Sequence, residues 1–140
     1  MSVITFSSLK GGVGKTSVCV NIAAAFAHRG CSTLIIDLDP SSHASRLFKI
    51  NDEKKIFPRH SPLAKFFFSK EADAEELSFQ SFLDSPLDSE PFVVPVRENL
   101  ELIPATNDLK YFVPAHGAKV FSKKFPLLIE ELKAHFEHII

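Results

Sequence analysis

The residues with the plainest chemistry lie near the amino terminus. Ser8-Leu9-Lys10-Gly11-Gly12-Val13-Gly14-Lys15-Thr16-Ser17 brings glycines, two lysines and adjacent hydroxyls into ten positions. Glycines allow backbone angles that a side chain forbids and let the main chain approach a ligand closely. The amides of such a turn point inward and form a nest for an anion. A helix starting just behind it adds partial positive charge. Lys15 supplies a full charge against the β and γ phosphates of a nucleotide, and the Thr16 hydroxyl can ligate a Mg²⁺ that bridges them. Ser17 offers a hydroxyl or an amide to the α-phosphate. The strict phosphate-loop pattern has glycine five positions before Gly14, where this chain has Leu9. The plainer alternative is a glycine turn that only joins a strand to a helix. Such a turn has no use for two lysines and a Thr-Ser pair.

A second constellation is Asp37-Leu38-Asp39-Pro40, at the carboxyl end of a predicted strand. Ligands of parallel sheets bind at that edge, so these carboxylates are expected to face the glycine loop. A helix cap or a turn acid is the competing reading for either residue.

These groups need a frame. Val3-Ile4-Thr5-Phe6 reads as a short buried strand. Thr16 to His28 reads as a helix, apolar on most faces, ended by Arg29 and the glycine cap Gly30. Thr33-Leu34-Ile35-Ile36-Asp37-Leu38 is a second strand whose unbroken apolar run fits a parallel strand covered on both sides. The first forty residues are thus a β-α-β unit, for which a right-handed crossover is the rule. Residues 41–97 carry five interrupting prolines from Pro58 to Pro95 and read as a variable region of short helices and loops. Helix is expected around Leu63 and Phe66-Phe67-Phe68, and from Ala74 to Phe82. Leu100-Glu101-Leu102-Ile103-Pro104 is a third strand stopped by its proline. Pro126 is expected near the first turn of a last helix. Leu128, Ile129, Leu132 and Phe136 line one face of that helix.

Composition narrows the class. The 140 residues suit one domain, and 45% apolar content is too high for a disordered chain. No run approaches the ~20 apolar residues of a membrane span, and no signal peptide is visible. Cys19 and Cys31 make no disulfide framework and read as thiols of a cytoplasmic protein. The net charge of −1 hides an asymmetry, with seven acids and no base from Glu71 to Glu90, a solvated face or loop. His135 and His138 lack a Cys or carboxylate that would complete a zinc set and read as surface residues. The three consecutive phenylalanines read as core or subunit contact, with a membrane-inserting patch as the alternative.

The string KGGVGKTS, with Lys10 directly before Gly11-Gly12, resembles the deviant Walker A motif of the ParA/MinD family of ATPases. The resemblance implies an α/β fold: a P-loop sheet of parallel strands with flanking helices. It implies ATP and Mg²⁺ as ligands. The phosphates would be held by Lys10, Gly11, Gly12, Val13, Gly14, Lys15, Thr16 and Ser17. The metal shell would be held by Thr16 and Asp37, and Lys10, Lys15 and Asp39 would act in catalysis. Lys10 would reach across a homodimer to the partner's nucleotide, and Asp39 would orient or deprotonate the attacking water. Family members commonly continue Asp-Pro with Gln-Gly-Asn, whereas this chain has Ser41-Ser42-His43.

In the family, a helix and an aromatic-acid-aromatic step lead into the strand that ends in the Walker B aspartate. Here Phe136-Glu137-His138-Ile139-Ile140 reads as the start of that central strand. The resemblance therefore covers residues 1–140 as the amino-terminal half of one domain, truncated before the Walker B strand, with slow or absent ATP hydrolysis. The implied function is partition or positioning in plasmid or chromosome segregation. ATP would favour the dimer and ADP would follow hydrolysis. The implied partners are nucleoid DNA or a membrane surface and a ParB-like or MinE-like activator. Metabolic relatives within the superfamily remain open, and the alternative from another class is a non-enzymatic remnant or interaction module.

Overall fold

The computed structural model describes residues 1–50, 62–68, 92–106, 109–110 and 116–140. Its elements are β1 (Ser2–Val3), α1 (Lys15–His28), β2 (Thr33–Ile36), α2 (His43–Ile50), α3 (Pro62–Phe68), β3 (Val94–Arg97), β4 (Leu100–Ile103), α4 (His116–Leu132) and β5 (His138–Ile139). The strands form one sheet in the order β1-β5-β2-β4-β3. Every neighbouring pair is parallel except β3 and β4. The α/β class expected from the sequence is the one observed.

Helices cover both faces of this sheet. Leu34, Ile103 and Ile139 pack with Leu63 of α3 and Leu128 and Leu132 of α4. Ile35, Leu100, Leu102 and Ile140 pack with Ala23 and Ala27 of α1 and Phe48 of α2. Consecutive residues of β2 thus enter opposite cores, which is why Leu34, Ile35 and Ile36 form an unbroken apolar run. The small side chains of Ala23 and Ala27, both buried, let α1 lie close against the strands. The helix ends in a Schellman arrangement. Gly30, at φ 82°, donates its amide to the Ala27 carbonyl, and Cys31 donates to Phe26.

The fold differs from the sequence reading at several places. The first strand is shorter than Val3 to Phe6, although the Ile4 amide still donates to the Ile139 carbonyl at 2.8 Å. The chain leaves the sheet there to begin the glycine loop. Strand β3 lies inside the region read as helices and loops. Pro95 is tolerated because β3 is the last strand in the order, and the register shifts between Pro95 and Arg97. A two-residue turn joins it to β4, with Asn99 in the left-handed region at φ 59°. Helix α4 begins at His116, so Pro126 stands in its interior rather than its first turn. Packing outweighs the lost amide: Phe121 and Phe125 stack at 4.5 Å, and Leu128 and Leu132 are buried. The central strand expected from residues 136–140 is β5, which lies between β1 and β2, so the two strands of the β-α-β unit are not neighbours. The short helix read around Leu63 is α3, whereas Ala74 to Phe82 and the acidic stretch lie outside the described residues.

Glu137 fixes where β5 enters. Its carboxylate accepts the Ser32 amide at 2.9 Å, and its own amide reaches the Ser32 carbonyl at 2.9 Å and hydroxyl at 3.0 Å. His138 then stacks on Phe26 of α1 at 3.9 Å, so it is part of the packing and not a surface residue. Among the described residues no helix is long and apolar enough to cross a membrane.

Leu132 has no exposed surface and Leu127 is 65% exposed. Leu132→Ala is expected to lower unfolding free energy by about 2–5 kcal/mol and Leu127→Ala by less than about 0.5 kcal/mol. Urea denaturation followed by circular dichroism measures both.

Candidate nucleotide-binding site

The glycine loop connects β1 to α1, and Asp37 to Pro40 follow β2. Both segments leave the carboxyl ends of parallel strands, so they share one edge of the sheet. Residues 7–14 of the loop are exposed, and Leu9 is fully so. The Ser8 hydroxyl lies 3.2 Å from both the amide and the carbonyl of Lys10 and fixes the start of the turn. Gly12 and Gly14 take φ angles of 74° and 83°, which explains two of the glycines. Gly11 has no such angle, and a Cβ placed there would meet nothing within 4 Å. The fold of the chain does not itself demand a glycine at that position.

Gly14 is the N-cap of α1. It offers no capping side chain, and the first turn contains no acid. The orphan amides at this helix start are left for another acceptor. Lys15 is the first helical residue, and its Nζ lies 3.2 Å from Asp39 Oδ2. Both side chains are about one-third exposed, at 32% and 31%. Thr16 is half-buried beside it, whereas Ser17 is exposed. Lys10 and Val13 are exposed on the loop.

Asp37 is 5% exposed and its carboxylate is well supplied with donors. Oδ1 accepts the Asp39 amide at 3.1 Å. Oδ2 accepts the Ser45 amide at 3.0 Å and the Ser45 hydroxyl at 2.6 Å. Ser45 lies in the first turn of α2, so Asp37 caps that helix from a distance. The Ser45 oxygen in turn accepts the Ala105 amide at 2.9 Å, which ties the end of β4 to the same point. Asp39 Oδ1 accepts the Ser41 amide at 2.9 Å and the Ser41 hydroxyl at 2.6 Å. His43 Nδ1 lies 2.9 Å from the same Ser41 oxygen.

The structure thus brings Lys15, Asp37 and Asp39 together and leaves Lys10 outside their contacts. It adds Ser41 and His43, which the sequence reading named only as a departure from the family's Gln-Gly-Asn, and Ser45, which it did not name. A serine two residues after an aspartate is the spacing of a side-chain-to-backbone turn, and that signal was present for Ser41. Cys19, one turn beyond Lys15, is half-buried, and burial pushes its thiol pKa up. The nearby Asp37 charge adds to this rise and Lys15 opposes it. Among the described residues no three His, Cys, Asp or Glu are grouped to hold a metal ion. A Mg²⁺ bound mostly by phosphates and waters needs no such group.

A family profile described as an AAA domain (AAA_31) matches residues 1–140. The chain belongs to that family. Within it, the relatives place the chain with the ParA/MinD-type P-loop ATPases. It is 28% identical over 142 residues to the sporulation initiation inhibitor protein Soj of Bacillus subtilis, covering 99% of this chain and 47% of Soj. The fold is similar to a plasmid partition protein of Borrelia burgdorferi, with TM-score 0.58 and 20% identity over 98% of this chain and 52% of that one. It is also similar to an ATP complex of Cyanothece McdA, with TM-score 0.62 and 19% identity over 100% of this chain and 46% of that one. Over its full length the chain spans about a third to a half of the length of the curated relatives it matches.

The Ser41 hydroxyl chiefly, helped by its amide and by Lys15, lowers the Asp39 pKa to about 2, against an opposing effect of burial. A depressed carboxylate contributes stability in full above its ordinary value of ~3.9 and loses that contribution as pH falls through about 2. The Asp39 carboxyl carbon is therefore expected to titrate near pH 2 by NMR. Ser41→Ala should move the midpoint upward, towards the ordinary value.

Proposed function

We propose that this chain binds ATP with Mg²⁺ through residues 10–17, as the phosphate-holding part of a partition or positioning ATPase. The observation that carries the reading is the start of α1. A glycine cap with no side-chain acceptor, no acid in the first turn and a lysine at the first helical position together form a site for an anion. The open space at Gly11 and the exposed loop leave the main chain accessible to a phosphate. The McdA relative was solved with ATP, which supports the choice of ligand.

The residue roles follow. Amides of Lys10 to Ser17 hold the phosphates, and Lys15 leaves Asp39 to meet them. Thr16 offers its hydroxyl to Mg²⁺. Asp37 Oδ2 already accepts two donors, so Oδ1, with one, is the oxygen left to hold a water of the metal shell. Asp39, freed from Lys15, orients the attacking water. Bound Mg-ATP supplies the phosphoryl group on which that water acts. Lys10, exposed on the loop, serves the nucleotide of a second copy in a homodimer.

Calorimetry with Mg-ATP tests the site. The unaltered chain is expected to bind, and Lys15→Ala to bind at least about tenfold more weakly, the scale of one lost charge-assisted contact. Absence of binding by a folded, unaltered chain would instead favour a non-enzymatic interaction module. Crosslinking tests Lys10: a dimer should appear with ATP and be reduced in Lys10→Ala, whereas a monomer in both states removes that role.

A further inference from the structure

Ser41-Ser42-His43 stands where the family commonly has Gln-Gly-Asn, and the structure gives two of these residues a defined connection. Asp39 Oδ1 accepts the Ser41 hydroxyl at 2.6 Å, while Oδ2 faces Lys15 at 3.2 Å. Ser41 Oγ carries one proton, and the ionised carboxylate can only accept. That proton is therefore committed to Asp39. The contact of 2.9 Å between Ser41 Oγ and His43 Nδ1 then requires the imidazole to donate. His43 is held at the first position of α2, directly after Ser42, whose amide donates to the Asp39 carbonyl at 2.8 Å and whose carbonyl accepts the Arg46 amide at 2.8 Å. Helix α2 is fixed by Asp37 through Ser45, so the imidazole stands on an anchored element.

We propose that His43 and Ser41 are positioning residues for Asp39. They form an arm, His43 Nδ1–H to Ser41 Oγ–H to Asp39 Oδ1, that holds one carboxylate oxygen in both states of the site. Only Oδ2 changes partner, from Lys15 in the free chain to a water when phosphate claims the lysine. This rests on the nucleotide-site reading for its second state, whereas the arm itself is a property of the free chain. It assigns His43 the Nδ1–H tautomer, because the Nε2–H form would draw the Ser41 proton away from Asp39.

The test is ¹⁵N NMR of the neutral His43 ring in the full chain, which distinguishes its two tautomers. The ratio of the Nδ1–H to the Nε2–H form is expected to be about tenfold higher than in an unpaired histidine, the effect of one hydrogen bond. Saturating Mg-ATP should leave that ratio unchanged, and Ser41→Ala should reduce it by a similar factor. The Asp39 carboxyl carbon shift should move in His43→Phe and return in His43→Asn, whose amide nitrogen replaces Nδ1. Circular dichroism confirms that each variant is folded. A dominant Nε2–H form in the free chain, or no change in Ser41→Ala, overturns the arm. Loss of the Nδ1–H form on adding Mg-ATP overturns its persistence. A chain that shows the Nδ1–H form yet never binds Mg-ATP supports the arm and refutes the nucleotide-site reading instead.

Discussion

A buried carboxylate at the end of β2 is the constraint around which this edge of the sheet is arranged. Asp37 is almost wholly removed from water, and a charge so placed is costly unless donors surround it. Its donors come from two directions. The Asp39 amide folds the following loop back upon it, and Ser45 brings the first turn of α2 to it. Ser45 then receives the Ala105 amide from beyond β4. One carboxylate therefore fixes the loop after β2, the start of α2 and the exit of β4. Removing it would leave the Ser45 amide and hydroxyl without their acceptor in a buried place, a cost paid by all three elements.

The same constraint explains which parts of the site were legible in the sequence. The glycine loop is local chemistry: angles at Gly12 and Gly14, a lysine and hydroxyls in fixed order, all within ten residues. Strand β2 was legible because burial on both faces requires an unbroken apolar run, and Leu34 and Ile35 do enter different cores. Pairings across long separations were not legible. Nothing at Ser45 signals that Asp37 and Ala105 will meet there. Nothing at Ile139 alone shows that β5 inserts between β1 and β2, although its family context suggested a central strand. At two points a propensity rule was applied where packing decided. Pro95 sits in a strand because an edge position needs no inner amide, and Pro126 sits within α4 because the aromatic and leucine contacts on either side hold the helix.

Charge balance explains why the two aspartates and the lysine sit so close. Lys15 beside an uncapped helix start would face only like partial charge, and Asp39 Oδ2 offsets it. Asp39 can serve this purpose because Ser41 already stabilises its ionised form. The arrangement keeps the lysine in place, with a carboxylate beside it that a polyphosphate would have to confront. Lys15 faces Asp39 and Asp37 stands beside them, so the side chains that meet at this point carry no net positive charge. In the proposed reading a divalent cation would offset the carboxylates beside the phosphates, and the half-buried Thr16 hydroxyl and the spare capacity of Asp37 Oδ1 are the groups that would meet it. If the site holds a nucleotide as proposed, Mg²⁺ and nucleotide would enter it together, because bare phosphates would otherwise share the edge of the sheet with the carboxylates of Asp37 and Asp39.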